Sequence, residues 1–444
     1  MNWEQLLSAY RLGDRQQLST SETRSRFEQD YDRIVFSHPF RKLQDKTQVF
    51  PLPEDDFVHT RLTHSLEVSS VGRSLGKEVG KILVEKYPGL EKLGYTYNDF
   101  GAIVAAASLA HDLGNPPFGH SGESAISTFF TNAAGKVFKE QLSEREWLDL
   151  CNFEGNAQGF RILNSPMYGG LRLTYATLAT FTKYPKDSRP ADKKGRVSQK
   201  KYGFTQSEKK IFHEVATSLG LQEMGEAAWC RHPLAFLVEA ADDICYNIID
   251  LEDGTRLGLV DFEVTKNFLA AIIGERFSEQ KLARIPDFNE KLGTLRALAI
   301  STLIYQTVSI FLENEEAMLQ GEFDTSLTDL IPASGALKDI QELSIRKIYR
   351  SKHVLEREAA GFEVLEKLMD AFTMAVYHSK YDKEQRSAKH KALYRLIPEA
   401  YRLELEKEGV TLYQALQIVG DFIASLTDSA ALKLHQTILG VRIS

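Results

Sequence analysis

The chain has 444 residues, 43% of them hydrophobic and 26% charged, which is ordinary for a globular protein and long enough to bury a large core without disulfides or a structural metal. Its three cysteines, Cys151, Cys230 and Cys245, form no CxxC pair, which argues against a zinc ribbon or a secreted disulfide framework. A net charge of −7, from 54 basic and 61 acidic residues, gives no whole-molecule sign of a dedicated nucleic-acid binder.

The N-terminus, Met1-Asn2-Trp3-Glu4-Gln5, shows no basic segment followed by an apolar run, so no signal peptide is expected. No stretch reaches the ~18 consecutive apolar residues of a membrane span, and a cytoplasmic protein without membrane association is expected. Two short runs, Arg33–Phe36 and Thr47–Phe50, are strand candidates that would pair as a ribbon. Beyond them helical spacing takes over. Leu66, Val68, Val71, Leu75, Val79, Ile82 and Leu83 recur mostly at steps of three and four. Gly101 to Leu113 reads as a buried, alanine-rich helix closed by Gly114, with Pro116 and Pro117 forcing a turn. Lys183 to Lys210, including Lys193-Lys194-Gly195-Arg196 and Lys200-Lys201, reads as a solvated loop. Pro233 opens another apolar helix running to about Leu251. Val264 to Gln320, Leu355 to Phe372 and Leu412 to Leu439 continue in helical style. The predicted fold class is all-α, with at most a short N-terminal β ribbon.

Most of the eleven histidines need no special role. His111 and Asp112 differ, because they sit at the predicted end of an almost wholly apolar helix. Burying an imidazole and a carboxylate there costs several kcal/mol unless a cation compensates; the alternative is that the pair is exposed where the helix emerges. Asp242 and Asp243 form a second carboxylate pair inside a mostly apolar helix. With His64 these groups make a mixed nitrogen and oxygen donor set, which suits manganese, iron or magnesium better than a thiolate-preferring metal.

Six segments occur in order: Lys42–Phe50, Thr60–Val68, His111–Glu123, Asn152–Gln158, Leu173–Leu178 and Ala241–Asp250. Together they resemble the HD-domain superfamily, and within it the deoxyguanosine triphosphate triphosphohydrolases and their deoxynucleotide-hydrolysing relatives. The resemblance is dense over roughly residues 20 to 255 and loose beyond. It implies one large helical domain over 1–444, with an HD metal-site core over roughly 30–255 and a helical C-terminal extension over roughly 256–444. It also implies that His64, His111, Asp112 and Asp242 hold one divalent metal ion (manganese, magnesium or iron). By the same resemblance His120 is the catalytic histidine, supported by Glu123, and Arg61 binds phosphate. Gln48 and Asp250 would hold the sugar 3′-hydroxyl, Tyr246 would pack under the deoxyribose, and Asn115 and Lys183 would join the substrate contacts. Tyr184, Arg346, Lys347 and Tyr349 are weaker candidates. Implied partners are a deoxynucleoside triphosphate substrate and further copies of the chain in a homo-oligomer (tetramer or hexamer), with single-stranded DNA or a nucleotide as candidate effectors.

The chemistry is consistent with these residue types. Hydrolysis at the α-phosphorus needs a cation against the phosphate charge, an attacking water and a proton for the leaving 5′-oxygen. His120, with Glu123 three residues on, can act as general acid to that oxygen or as general base to the water, and the sequence leaves both open. Asp242, Tyr246 and Asp250 fall at i, i+4 and i+8, one stripe of one helix. The competing functions are another HD-type nucleotidase or phosphodiesterase, and a nucleotide-sensing regulator with a degenerate site.

Overall fold

Ser25, Thr60 and Thr96 each close a reciprocal capping box with the residue three positions on, and each starts a helix there. The computed structural model describes residues 1–14, 24–48, 59–168, 170–190 and 196–441, and helices dominate them, as the periodicity predicts. The helices that build or brace the site are α1 (Arg61–Lys86), α2 (Tyr97–Ala110), α3 (Gly119–Asn132), α4 (Gly155–Asn164), α5 (Ala235–Arg256), α6 (Phe288–Glu313), α7 (Lys352–Lys380), α8 (Leu412–Ala424) and α9 (Asp428–Ile438).

α1 buries Val68, Val71, Leu75, Val79 and Leu83, whereas Leu66 and Ile82 of the expected stripe face solvent. Its glycines let α2 come unusually near. A Cβ on Gly72, Gly76 or Gly80 would meet Ser108 Oγ at 2.5 Å, Phe100 O at 2.7 Å or Phe100 Cβ at 2.7 Å. Ser69 Oγ donates to the Ala105 carbonyl at 2.8 Å across the same seam. With no side chains between them there, the two backbones pack closely, and the start of α1 is carried to the end of α2. α5 is buried along most of its length and crosses both.

Two apolar clusters result. One joins the N-terminal helices to α1, α2, α5 and α6. The other joins α3 to α7, α8 and α9. The chain passes from the first cluster to the second through His111–Phe118, and the site lies at that junction.

Several boundaries differ from the sequence expectations. Arg33–Val35 is helical, within Arg26–Val35, because the Ser25–Glu28 capping box and the buried face of Phe27, Asp30 and Ile34 outweigh the β-branched pair Ile34-Val35. Thr47 makes an isolated bridge to Thr60 instead of a ribbon, and Val49 and Phe50 lie outside the described residues. The small sheet is elsewhere, an antiparallel pair of β1 (Glu223–Gly225) and β2 (Ala228–Trp229). The alanine-rich helix stops at Ala110, so His111 and Asp112 occupy the turn after it. α5 runs on past Leu251 to Arg256. The last segment breaks at Ser425–Thr427, where Thr427 caps α9 by accepting from the Ala430 N–H at 3.2 Å. Lys183–Lys210 is not a solvated loop at its start, since Lys186, Asp187 and Ser188 are buried; Lys193, Lys194 and Gly195 lie outside the described residues. Among the described residues one helix, α6, is long and apolar enough to cross a membrane, with a mean hydropathy of 1.5. Its Leu292, Leu295, Ala299, Leu303 and Phe311 are packed in the protein core.

Candidate metal centre and cavity

His64 lies one turn into α1, His111 and Asp112 follow α2, and Asp242 sits two turns into α5. The packing of those helices brings them together. His64 Nε2 is 3.2 Å from Asp242 Oδ1, and His111 Nε2 is 3.5 Å from both Asp242 Oδ1 and Asp112 Oδ1. The donor atoms of His64, His111 and Asp112 all fall within 4.8 Å of one another. His111 Nδ1 faces the Ser108 carbonyl at 2.7 Å, so Nδ1 carries the proton and the Nε2 lone pair points into the cluster. Burial alone would raise the Asp242 carboxyl, but His111 and His64 in their protonated forms, with Lys183, hold it well below the usual range, the positive charge that a bound cation would take over from the two rings. Arg61 and His111 likewise overcome burial at Asp112. Ionised carboxylates and imidazole lone pairs enclosed together call for a cation, and this donor set fits one divalent ion with coordination positions to spare.

The cluster lies at the wall of a cavity of about 420 Å³. Gln48, Arg61, Asn115, His120, Lys183 and Tyr246 all reach it. Arg61 donates to Asp112 Oδ2 at 2.8 Å, and Asn115 Nδ2 donates to Asp112 Oδ1 at 2.5 Å. Gln48 Oε1 and Arg61 Nε are buried with no hydrogen-bond partner among the described residues. His120 stands at the rim with its side chain 82% exposed, its Nδ1 2.8 Å from Glu123 Oε2. Glu123 is itself held by the Gly155 N–H at 2.8 Å. Burial would raise the Glu123 carboxyl, but the His120 hydrogen bond keeps it below its ordinary value. The ionised acid therefore accepts a hydrogen bond from Nδ1–H and leaves His120 Nε2 available for proton exchange.

Asp250 does not join the cavity wall. It is buried behind Tyr246 and Tyr349, whose rings stack with centroids 5.5 Å apart, and it accepts from the Tyr349 hydroxyl at 2.6 Å. Burial pushes its carboxyl up to about 7. Asp243 turns away from the metal cluster and accepts from Ser326 and Thr328 at 3.0 and 2.6 Å. Arg346 and Lys347 are exposed, while Tyr349 of the same turn lines the cavity. Cavity residues to which sequence reasoning gave no role include Lys201, Glu239, Val354, Arg357 and Glu358, and also Glu154 and Asn156 of the Asn152–Gln158 segment. Lys201 lay in the run read as solvated, and nothing local distinguishes it from Lys200.

Gly114 does not cap α2 in a left-handed conformation; it is where the turn after α2 touches α4. A Cβ there would meet Gly155 O at 1.9 Å and Gly159 N at 2.1 Å, both backbone atoms that cannot swing aside. Gly114→Ala is expected to cost roughly 1–3 kcal/mol or more, read as a lowered midpoint in thermal or urea unfolding.

The HD domain family profile matches residues 61–154, and that of the phosphohydrolase-associated domain matches residues 332–437. A deoxyguanosinetriphosphate triphosphohydrolase-like protein of Synechocystis is 41% identical over 459 residues, covering the whole of both chains. One of Listeria innocua is 37% identical, covering 99% of this chain and all of its own. A deoxyguanosinetriphosphate triphosphohydrolase of Yersinia pseudotuberculosis is 32% identical, covering 90% of this chain and 91% of its own.

Proposed function

The chain belongs to the deoxyguanosinetriphosphate triphosphohydrolase-like family of HD-domain hydrolases, and on that footing we propose that it cleaves deoxynucleoside triphosphates, deoxyguanosine triphosphate among them, to deoxynucleoside and inorganic triphosphate. The observation that carries this reading is the His120–Glu123 pair at the rim of the cavity that the His64, His111, Asp112 and Asp242 cluster walls.

In the proposed reaction water oxygen attacks the α-phosphorus, the bond to the 5′-oxygen breaks, and that oxygen leaves with a proton. His64, His111, Asp112 and Asp242 would hold one divalent ion (manganese, magnesium or iron), which when bound neutralises phosphate charge and supplies an activated water. His120 Nε2 delivers the proton to the 5′-oxygen, and the Glu123 carboxylate stabilises the imidazolium that must hold it beforehand. Arg61, Lys183 and Lys201 provide fixed positive charge for the triphosphate, and Asn115 orients Asp112 beside it. Tyr246 forms the platform for the sugar. The 3′-hydroxyl would bond to Gln48 Oε1 and displace Tyr349 from Asp250. An aromatic face pressed against the sugar leaves no room for a 2′-hydroxyl, hence deoxynucleotides. The proposal extends to a cytoplasmic homo-oligomer, tetramer or hexamer, with single-stranded DNA or a nucleotide as effector.

The deciding experiment incubates the purified chain with manganese and each of the four deoxynucleoside triphosphates, singly and in pairs, and separates the products by anion exchange. Deoxynucleoside and triphosphate are expected. Release of deoxynucleoside monophosphate and pyrophosphate would instead identify a different HD-type nucleotidase. Tight binding without any hydrolysis would identify a sensor.

A further inference from the structure

The residues assigned to the reaction all precede residue 251, yet the loops that carry them are tied together by the far end of the chain. Thr47 adjoins Gln48; its N–H donates to Asp428 Oδ2 at 3.0 Å, and its hydroxyl donates to the same oxygen. The other oxygen, Asp428 Oδ1, accepts the Phe118 N–H at 3.0 Å. Phe118 stands two residues before His120 and precedes α3 as its N-cap with a φ of 62°, in the left-handed region that aromatic residues avoid. Such a backbone persists where its surroundings over-determine it. α7 supplies part of that support, because a Cβ on Gly361 would meet Phe118 Cγ at 2.5 Å. The Asp428 hydrogen bond supplies another part.

Neighbouring contacts run across the same seam. Lys46 Nζ donates to the Asn115 carbonyl at 2.6 Å and to the Ala424 carbonyl at 2.8 Å. Lys42 Nζ donates to the Ser425 carbonyl at 2.8 Å, and Ser429 Oγ donates to Asp45 at 3.0 Å. Asp428 is the centre of this strap and only 1% exposed. Its three partners are all donors arriving on both carboxyl oxygens, so a carboxylate satisfies them and an amide does not.

We propose that Asp428 is a positioning residue for the hydrolytic site: it clamps the Thr47–Gln48 segment to the Phe118 turn and thereby sets the placement of Gln48 relative to His120. The proposal rests on the function proposed above for its kinetic readout, and on geometry for the rest.

Asp428→Asn in the full chain tests it, because the isosteric amide points an N–H at one of the donors. The expected result is a kcat lowered about ten- to hundredfold, with manganese binding by calorimetry unchanged within about twofold. The Thr47 or Phe118 amide should also lose protection from hydrogen exchange. Glu315→Gln serves as the control, a buried carboxylate 1% exposed that accepts from Trp3 Nε1 at 2.7 Å well away from the cavity. It should lower thermal stability and leave kcat in place. Should Asp428→Asn not fold, Thr47→Val removes one donor from the clamp and should lower kcat severalfold with metal binding kept. The proposal is overturned if either clamp variant behaves like the Glu315→Gln control, or if both amides keep their protection. If the unaltered protein releases no triphosphate, the proposed function falls, while the exchange measurement still decides whether Asp428 clamps the two loops.

Discussion

His111→Ala is expected to abolish binding of the divalent ion and with it nearly all turnover. The imidazole is the donor best prepared for the role, since its Nδ1 is committed to the Ser108 carbonyl at 2.7 Å and its Nε2 lies 3.5 Å from both Asp112 and Asp242. Without it, the buried Asp112 and the partly exposed Asp242 face one imidazole, and the proposed coordination set loses a strong nitrogen donor. Several kcal/mol of phosphate charge stabilisation go with the ion, which at about 1.4 kcal/mol per tenfold corresponds to a loss of roughly a thousandfold or more in kcat. Calorimetric titration with manganese reads the binding directly. The fold should survive, because His111 lies beyond the end of α2 and belongs to neither apolar cluster. A variant that bound manganese as the unaltered protein does would remove His111 from the ligand set.

His120→Ala should separate the metal from the proton. The side chain is 82% exposed and its recorded hydrogen bond is to Glu123, so its removal should leave stability and metal binding intact. Turnover is expected to fall by about 10²–10⁴, the range for loss of a positioned general acid, with little change in substrate affinity. Glu123→Gln should give a smaller loss, because the amide can still orient the ring but no longer stabilises its protonated form. Near-normal rates for His120→Ala would place the proton transfer elsewhere in the cavity, and comparison of the two pH–rate profiles would show whether the missing limb belongs to His120.

Much of this was legible in the primary structure because it is local. The three- and four-residue spacing of Val68, Val71, Leu75, Val79 and Leu83 marks the buried face of α1, whereas the capping boxes at Ser25, Thr60 and Thr96 and the glycine seam of α1 went unread although they are equally local. A histidine beside an aspartate at the end of an apolar helix is either buried and compensated or exposed where the helix emerges; the structure puts Asp112 in the interior, paired with Arg61 at 2.8 Å, and His111 partly buried beside it. The stripe Asp242, Tyr246, Asp250 was also readable, but period alone could not tell that the third member would sit behind Tyr349. The N-terminal ribbon failed for a related reason, since β-branched residues at Ile34-Val35 say nothing of the capping and burial that make them helical.

The sequence alone therefore determined the helical class and the pairing of His120 with Glu123, both set by neighbours a few residues away. Tertiary structure decided which groups share the cavity. His64 and Asp242 meet across 178 positions, Thr47 and Asp428 across 381. Lys201 reaches the cavity only because the loop carrying it folds back beside Glu154. Contacts at such separations depend on how closely the helices pack, here on the glycine seam between α1 and α2 and on the strap from α9, and no local pattern of residue types encodes that convergence.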